Sequence, residues 1–190
     1  VLGMAVPEAD IRRLLTAIGF EVSETDGLDA FAEAAMREEG VDAALAEASE
    51  SVGVASDRLV YLSDAKEDAR VHARATREEI AAALSGFAQA AAPDDVVYIV
   101  LVGHGSYDGS TARFNLPGRD MTPADFNTLL TKLPARNVVF VNTSSSSGPF
   151  VEVLSAPGRT IITATRNGAE RFTTLFGGYF VEAFSDGAAD

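Results

Sequence analysis

Apolar residues recur along the chain in two spacings, one suited to helices and one to buried strands. Glu8 to Ile18 puts Ile11, Leu14, Leu15 and Ile18 on one helical face, and Gly19 ends the run. Phe20-Glu21-Val22-Ser23 follows as a short strand candidate. Leu28–Val52 reads as an Ala-rich helical stretch, with Gly40 as a break and Gly53 at the C-cap position. Arg58-Leu59-Val60-Tyr61-Leu62 is a strand, and the polar, aperiodic stretch from Ser63 to Ala75 predicts an exposed loop. Thr76-Arg77-Glu78-Glu79 has the form of a capping box, in which the Thr hydroxyl accepts from the Glu79 N–H and the Glu79 carboxylate reaches back. The helix it opens buries Ile80, Leu84 and Phe87.

Pro93-Asp94-Asp95 then turns into Val96–Val102, a run apolar on both faces, as expected of a central parallel strand. Residues 105–121 predict a Gly-rich loop. Thr122 as N-cap and Pro123 at the first helical position start another helix, with Phe126, Leu129 and Leu130 towards the core. Asn137–Val141 and Arg159–Ala164 are further central strands, and Phe172–Phe184 is helical with Gly177-Gly178 inside it. Strands alternate with helices, which predicts an α/β fold with a doubly wound, mostly parallel sheet flanked by helices. Neither repeats nor a linker divide the chain, so 1–190 is expected to be one domain, with 1–18 as an N-terminal helical extension.

Composition narrows the chemistry. A length of 190 residues with 47% hydrophobic content suits one domain with a substantial core. A net charge of −13 disfavours nucleic acid and anionic membrane as partners, because phosphate binding needs clustered Lys and Arg. No apolar run is long enough to span a bilayer. The chain has no cysteine, so disulfides, thiolate zinc sites and thiol catalysis are excluded, and either redox environment suits it. Starting at Val1 and ending at Asp190, it is read as a domain, not necessarily a whole gene product.

Two segments carry candidate chemistry, each at the C-terminal tip of a predicted parallel strand, where α/β sheets place their sites. Val102-Gly103-His104-Gly105-Ser106 offers an imidazole base between two glycines. The other histidine, His72, lies in the polar loop. Asn142-Thr143-Ser144-Ser145-Ser146-Ser147-Gly148-Pro149-Phe150 offers a row of hydroxyls. Taken alone, the serine run is an ordinary polar turn. It contains no G-x-S-x-G elbow. Gly103, Gly105 and Gly109 are mis-spaced for a dinucleotide loop, so a nucleotide-binding domain is a weak alternative. His104 and Asp108 lack a third metal ligand. No cofactor and no metal is expected.

The order of strand, His-Gly, helix, strand and small-residue Ser-Gly motif resembles the caspase-like cysteine peptidase clan, closest to the legumain (asparaginyl endopeptidase) family. The resemblance covers about residues 58–184 and includes Ala75-Thr76-Arg77, Asp94-Asp95 and Arg159–Arg166. It implies a three-layer fold with a mostly parallel central sheet. It also implies His104 as base, Ser145 at the position of the nucleophilic cysteine, and Gly105 and Ser145 N–H groups as an oxyanion hole. Thr143 and Ser144 would then border the substrate, as would Arg166 and Glu170 in the loop after the last strand. Thr143 stands where legumain-type enzymes carry an acidic specificity residue, so their asparagine preference is not carried over. Phe114, flanked by Arg113 and Asn115, anchors the loop after His104 by packing.

A thiol becomes a useful thiolate beside one histidine, whereas a serine hydroxyl needs a base held and oriented by a carboxylate. Asp108 and Asp120 are the candidates by proximity in sequence. The expectation is therefore a catalytically silent peptidase-like domain that binds peptide or protein in the former active-site groove. The alternatives are an active endopeptidase-class hydrolase using Ser145 and His104, or a cysteine peptidase carrying an engineered Cys→Ser change.

Overall fold

In the computed structural model, residues 2–6, 46, 54–64, 68–135, 137–172 and 174–186 are described. The helix candidate Glu8–Ile18, the strand candidate Phe20–Ser23 and the Ala-rich stretch Leu28–Val52 lie outside them, except Ala46, which is helical and buried. The described strands are β1 (Leu2–Val6), β2 (Leu59–Tyr61), β3 (Val96–Leu101), β4 (Gly105–Tyr107), β5 (Ala112–Phe114), β6 (Asn137–Asn142) and β7 (Arg159–Thr163). The helices are α1 (Arg77–Ala90), α2 (Pro123–Leu130), α3 (Pro149–Leu154) and α4 (Phe176–Asp186).

The main sheet has the order β2-β1-β3-β6-β7. β3, β6 and β7 are parallel, with Leu101 opposite Asn142 and Asn142 opposite Thr163 at their C-terminal ends. The sheet is mixed, because β1 runs antiparallel to both β2 and β3, pairing Leu2 with Val100 and Val6 with Val96. Leu2–Val6 falls inside the span expected for an N-terminal helical extension and is instead a strand. Apolar residues alone give no strand direction.

Both faces of the sheet are apolar because β3 is buried along its whole length. Val97, Ile99 and Leu101 face a cluster with Ile80, Leu84 and Phe87 of α1, Phe126 and Leu130 of α2, and Phe150 and Leu154 of α3. Val96, Tyr98 and Val100 face a second cluster that includes Phe180 and Val181 of α4. Within the first, the Phe126 and Phe140 rings meet edge-on at 5.3 Å, and Phe150 stacks on Phe140 at 6.2 Å.

Two expected loops are more ordered than their composition suggests. Within 105–121, β4 and β5 form an antiparallel hairpin pairing Gly105 with Phe114 and Tyr107 with Ala112. Its connection is Asp108–Thr111, in which Gly109 takes φ of 103° and the Asp108 carboxylate accepts from the Ser110 and Thr111 N–H groups. His72 and Ala73 lie along β2 and its end, with Leu62 bridging Ala73 and the His72 N–H donating to the Tyr61 carbonyl. α3 was not anticipated, and α4 begins four residues after the expected Phe172.

Asp125 joins two helix starts. Its carboxylate accepts from the Thr122 N–H at 2.9 Å and hydroxyl at 2.8 Å, completing the α2 capping box, and it pairs with the Arg77 guanidinium at the start of α1. Arg77 holds this carboxyl well below the usual carboxylate range, with the Thr122 donors adding to the effect against desolvation. Its folded pKa lies below the unfolded one, so the stabilisation is fully present above about pH 4 and is lost as the pH falls towards the folded value. Asp125→Ala is expected to lose about 2 kcal/mol at neutral pH, from the cap and the part-buried ion pair. In urea titrations the difference from the unmodified chain should shrink below pH 4; a constant difference would show that the carboxylate is not the cause.

Candidate functional site

Parallel pairing of β3 with β6 brings the two candidate segments out side by side, since Leu101 and Asn142 end the ladder together. Beyond that pair the chains stay in contact. The Thr143 N–H and hydroxyl both donate to the Leu101 carbonyl at 3.0 Å. Asn142 is fully buried, and its Oδ1 accepts from the Ser144 N–H at 3.0 Å and hydroxyl at 2.7 Å, an Asx turn that bends the chain off the strand.

Ser145 then lies against Gly105. Its Oγ donates to the Gly105 carbonyl at 3.1 Å, and the Gly105 N–H points back to Oγ at 3.4 Å. Glycine is required there, because a Cβ at 105 would sit 1.9 Å from the Ser145 carbonyl oxygen and 2.8 Å from Ser144 Oγ. The Ser145 N–H donates to no described residue. Ser146 takes φ of 56°, the left-handed region that non-glycine residues seldom occupy. The rotation sends its N–H to the Glu170 carbonyl at 2.8 Å.

The remaining hydroxyls of the run serve the fold. Ser147 Oγ accepts from the Thr165 N–H and lies 3.2 Å from Thr165 Oγ1, which in turn accepts from the Gly148 N–H at 2.9 Å. Gly148 packs against the Arg166 backbone, and a Cβ there would meet the Arg166 carbonyl carbon at 2.4 Å. The Thr174 hydroxyl donates to the Thr143 carbonyl. The turn that carries Ser145 is thus tied on one side to β3 and on the other to the loop after β7.

Of the residues expected at the site, Gly105 and Ser145 meet directly, and His104 precedes Gly105 in the chain. His104 is exposed, no described group hydrogen-bonds its imidazole, and no hydrogen bond joins it to Ser145. Its carbonyl accepts from the Asn115 N–H at 2.9 Å, which fixes the backbone. Phe114 is buried, and its ring lies under Gly103. Thr143 and Ser144 are buried with their hydroxyls bonded internally, so they shape the turn from within. Arg166 and Glu170 are on the exposed loop, where the Glu170 carboxylate accepts from the Asn167 N–H at 3.2 Å and the Arg166 N–H at 3.4 Å.

Neither acid near His104 in sequence orients it. Asp108 accepts from the Ser110 and Thr111 N–H groups, both at 2.9 Å, and pairs with Arg113 at 2.7 Å. Those hydrogen bonds, the Ser110 and Thr111 amides foremost, hold its carboxyl far below the usual range. Asp120 accepts from the Leu116 N–H at 3.0 Å. His72 is also structural, since its Nδ1 accepts from the Tyr61 N–H at 3.1 Å.

The residue that sequence reasoning passed over is Asn142. Its Nδ2 is buried without a hydrogen-bond partner, while its Oδ1 holds the Ser144 turn. The available signal was an amide ending an otherwise apolar strand directly before a run of serines. Among the described residues, no group of acidic and imidazole side chains is placed to hold a metal ion, and no helix is long and apolar enough to cross a membrane. A small apolar cavity of about 10 Å³ under α1, lined by Leu62, Ile80, Leu84 and Ile99 among others, has room for roughly one water and no ligand. No family model, curated protein or solved structure matches the chain.

Proposed function

We propose that this chain is a legumain- or caspase-like peptidase-fold domain that binds peptide or protein in its groove without cutting it. The observation that carries the proposal is the environment of Ser145. Its hydroxyl proton is directed to the Gly105 carbonyl, and among the described residues no carboxylate orients the neighbouring His104. A serine so placed lacks the base needed to raise its nucleophilicity, whereas a thiol at the same place ionises far more readily.

The remaining parts suit a peptide carbonyl. The Gly105 N–H makes only a long contact to Ser145 Oγ, and the Ser145 N–H bonds no described residue, so two backbone donors are available beside the same side chain. The apolar clusters on both sheet faces agree with a three-layer caspase-like arrangement. The loop bearing Arg166 and Glu170 forms one wall of the groove.

Incubation of a peptide library with the unmodified chain, Ser145→Cys and Ser145→Ala, read by mass spectrometry, tests this. Cleavage by the Cys form alone is the expected result. Cleavage by the unmodified chain that Ser145→Ala abolishes would instead make it an active Ser145-His104 hydrolase. Cleavage by none of the three would remove the peptidase-groove assignment.

A further inference from the structure

The loop after β7 contains Asn167-Gly168, whereas Asn115, Asn127, Asn137 and Asn142 precede Leu, Thr, Val and Thr. Asn167 is exposed. Its Oδ1 accepts from the Ala169 N–H at 2.8 Å, an Asx turn that folds the side-chain carbonyl back over the intervening Gly168 peptide. The Gly168 N–H donates to no described residue, and glycine has no Cβ to shield its nitrogen. A backbone nitrogen and a side-chain carbonyl carbon are thus held close enough to close a ring. The Ala169 N–H already sits on the oxygen that would become negative as they join.

The same loop is tied to the Ser145 turn on both sides of this dipeptide. Before it, the Arg166 backbone lies against Gly148. After it, the Glu170 carbonyl accepts from the Ser146 N–H at 2.8 Å. Between them Gly168 is buried beneath Tyr107 of β4, whose ring lies 2.6 Å from where a Cβ at 168 would be. The Thr165 hydroxyl also approaches the Asn167 carbonyl at 3.2 Å. The backbone from 166 to 170 therefore has no slack to take up an added atom.

We propose that Asn167-Gly168 is a self-modification site, converting in the folded chain to aspartate and isoaspartate and thereby loosening the Ser145 turn. The Gly168 nitrogen, having given its proton to hydroxide, attacks Asn167 Cγ. The Nδ2 group leaves as ammonia, taking a proton from water and returning the hydroxide. Water then opens the cyclic imide at either carbonyl, giving aspartate or isoaspartate. Aspartate puts a second carboxylate beside that of Glu170, which already accepts from the Asn167 N–H. Isoaspartate lengthens the main chain by one atom, so the loop must give up Tyr107, Gly148 or the Ser146 bond. Asp108-Gly109, also in a described loop, stays unreacted. Its carboxylate is held by the Ser110 and Thr111 N–H groups and by Arg113, and an ionised carboxylate resists nucleophilic attack. The proposal is independent of any activity at Ser145.

The folded 190-residue chain, held at mildly alkaline pH, digested in acid and read by mass spectrometry, tests it. Asn167 should convert at least about tenfold faster than each of the other four asparagines, and faster as the pH rises. Ala169→Pro keeps the dipeptide but removes the N–H on Oδ1, and should slow the reaction at least about threefold. If Ala169→Pro does not fold, the unmodified chain in guanidinium chloride decides, and should react more slowly than the folded one. In the isolated isoaspartyl form the Ser146 amide should exchange faster with solvent than in the fresh chain. An Asn167 that stays an amide, equal rates with and without the Asx turn, or unchanged Ser146 exchange would overturn the proposal.

Discussion

Gly105→Ala is expected to eliminate ligand binding at the Ser145 turn and to lower stability together. The new methyl would sit 1.9 Å from the Ser145 carbonyl oxygen, a backbone atom that no rotamer change can move aside. Either β4 or the turn must shift, separating Ser145 Oγ from the Gly105 peptide that holds it. Overpacking of this kind costs about 2–3 kcal/mol, which for a chain of this size lowers Tm by about 4–12 °C. Calorimetry with a peptide bound by the unmodified chain should show at least about a hundredfold weaker binding, by the loss of a positioned pair of donors. Gly86→Ala, in α1 with open space around it, is the control and should stabilise by up to about 1 kcal/mol. Unchanged binding in Gly105→Ala would separate the groove from the Gly105–Ser145 contact.

Phe140→Ala is expected to be the most destabilising single truncation in the central sheet. Phe140 is fully buried in β6 and touches the rings of Phe126 and Phe150, so it joins the sheet to α2 and α3. Removing it forfeits the transfer energy, leaves a cavity between three elements and ends two aromatic contacts, for about 3–5 kcal/mol in all. Denaturant midpoints should fall accordingly with little change in slope. Because α3 follows the Ser145 turn and packs through Phe150, amide exchange at Ser144 and Ser146, whose N–H groups bond Asn142 Oδ1 and the Glu170 carbonyl, should also accelerate. A loss below about 1 kcal/mol would mean that α2 and α3 collapse into the space without strain.

The residues made some of these features legible and left others hidden. The capping residues Thr76 and Thr122, the buried run Val96–Leu101, and the faces of α1 and α2 were readable because each depends on neighbours within a turn or two. The hairpin β4–β5 was hidden, because a glycine-rich stretch reads as loop unless the strand pairing is known. The partners of Asp108 were hidden for the same reason. Its nearness to His104 in sequence suggested an orienting acid, but the hairpin turns it towards Ser110, Thr111 and Arg113.

By itself, the sequence determined that this is an α/β chain with a buried parallel core and that a His-Gly and a serine run end two of its strands. Hydrophobic periodicity and turn chemistry are local, so they can be read without coordinates. Only the tertiary structure decided that β1 runs antiparallel, that Asn142 holds the serine turn, that the Ser145 hydroxyl faces Gly105, and that Asp108 and Asp120 do not stand behind His104. Those outcomes depend on which distant residues the packing brings within hydrogen-bonding distance. A donor and an acceptor 40 residues apart, like Gly105 and Ser145, meet only once the ladder of β3 and β6 has fixed where both strands end.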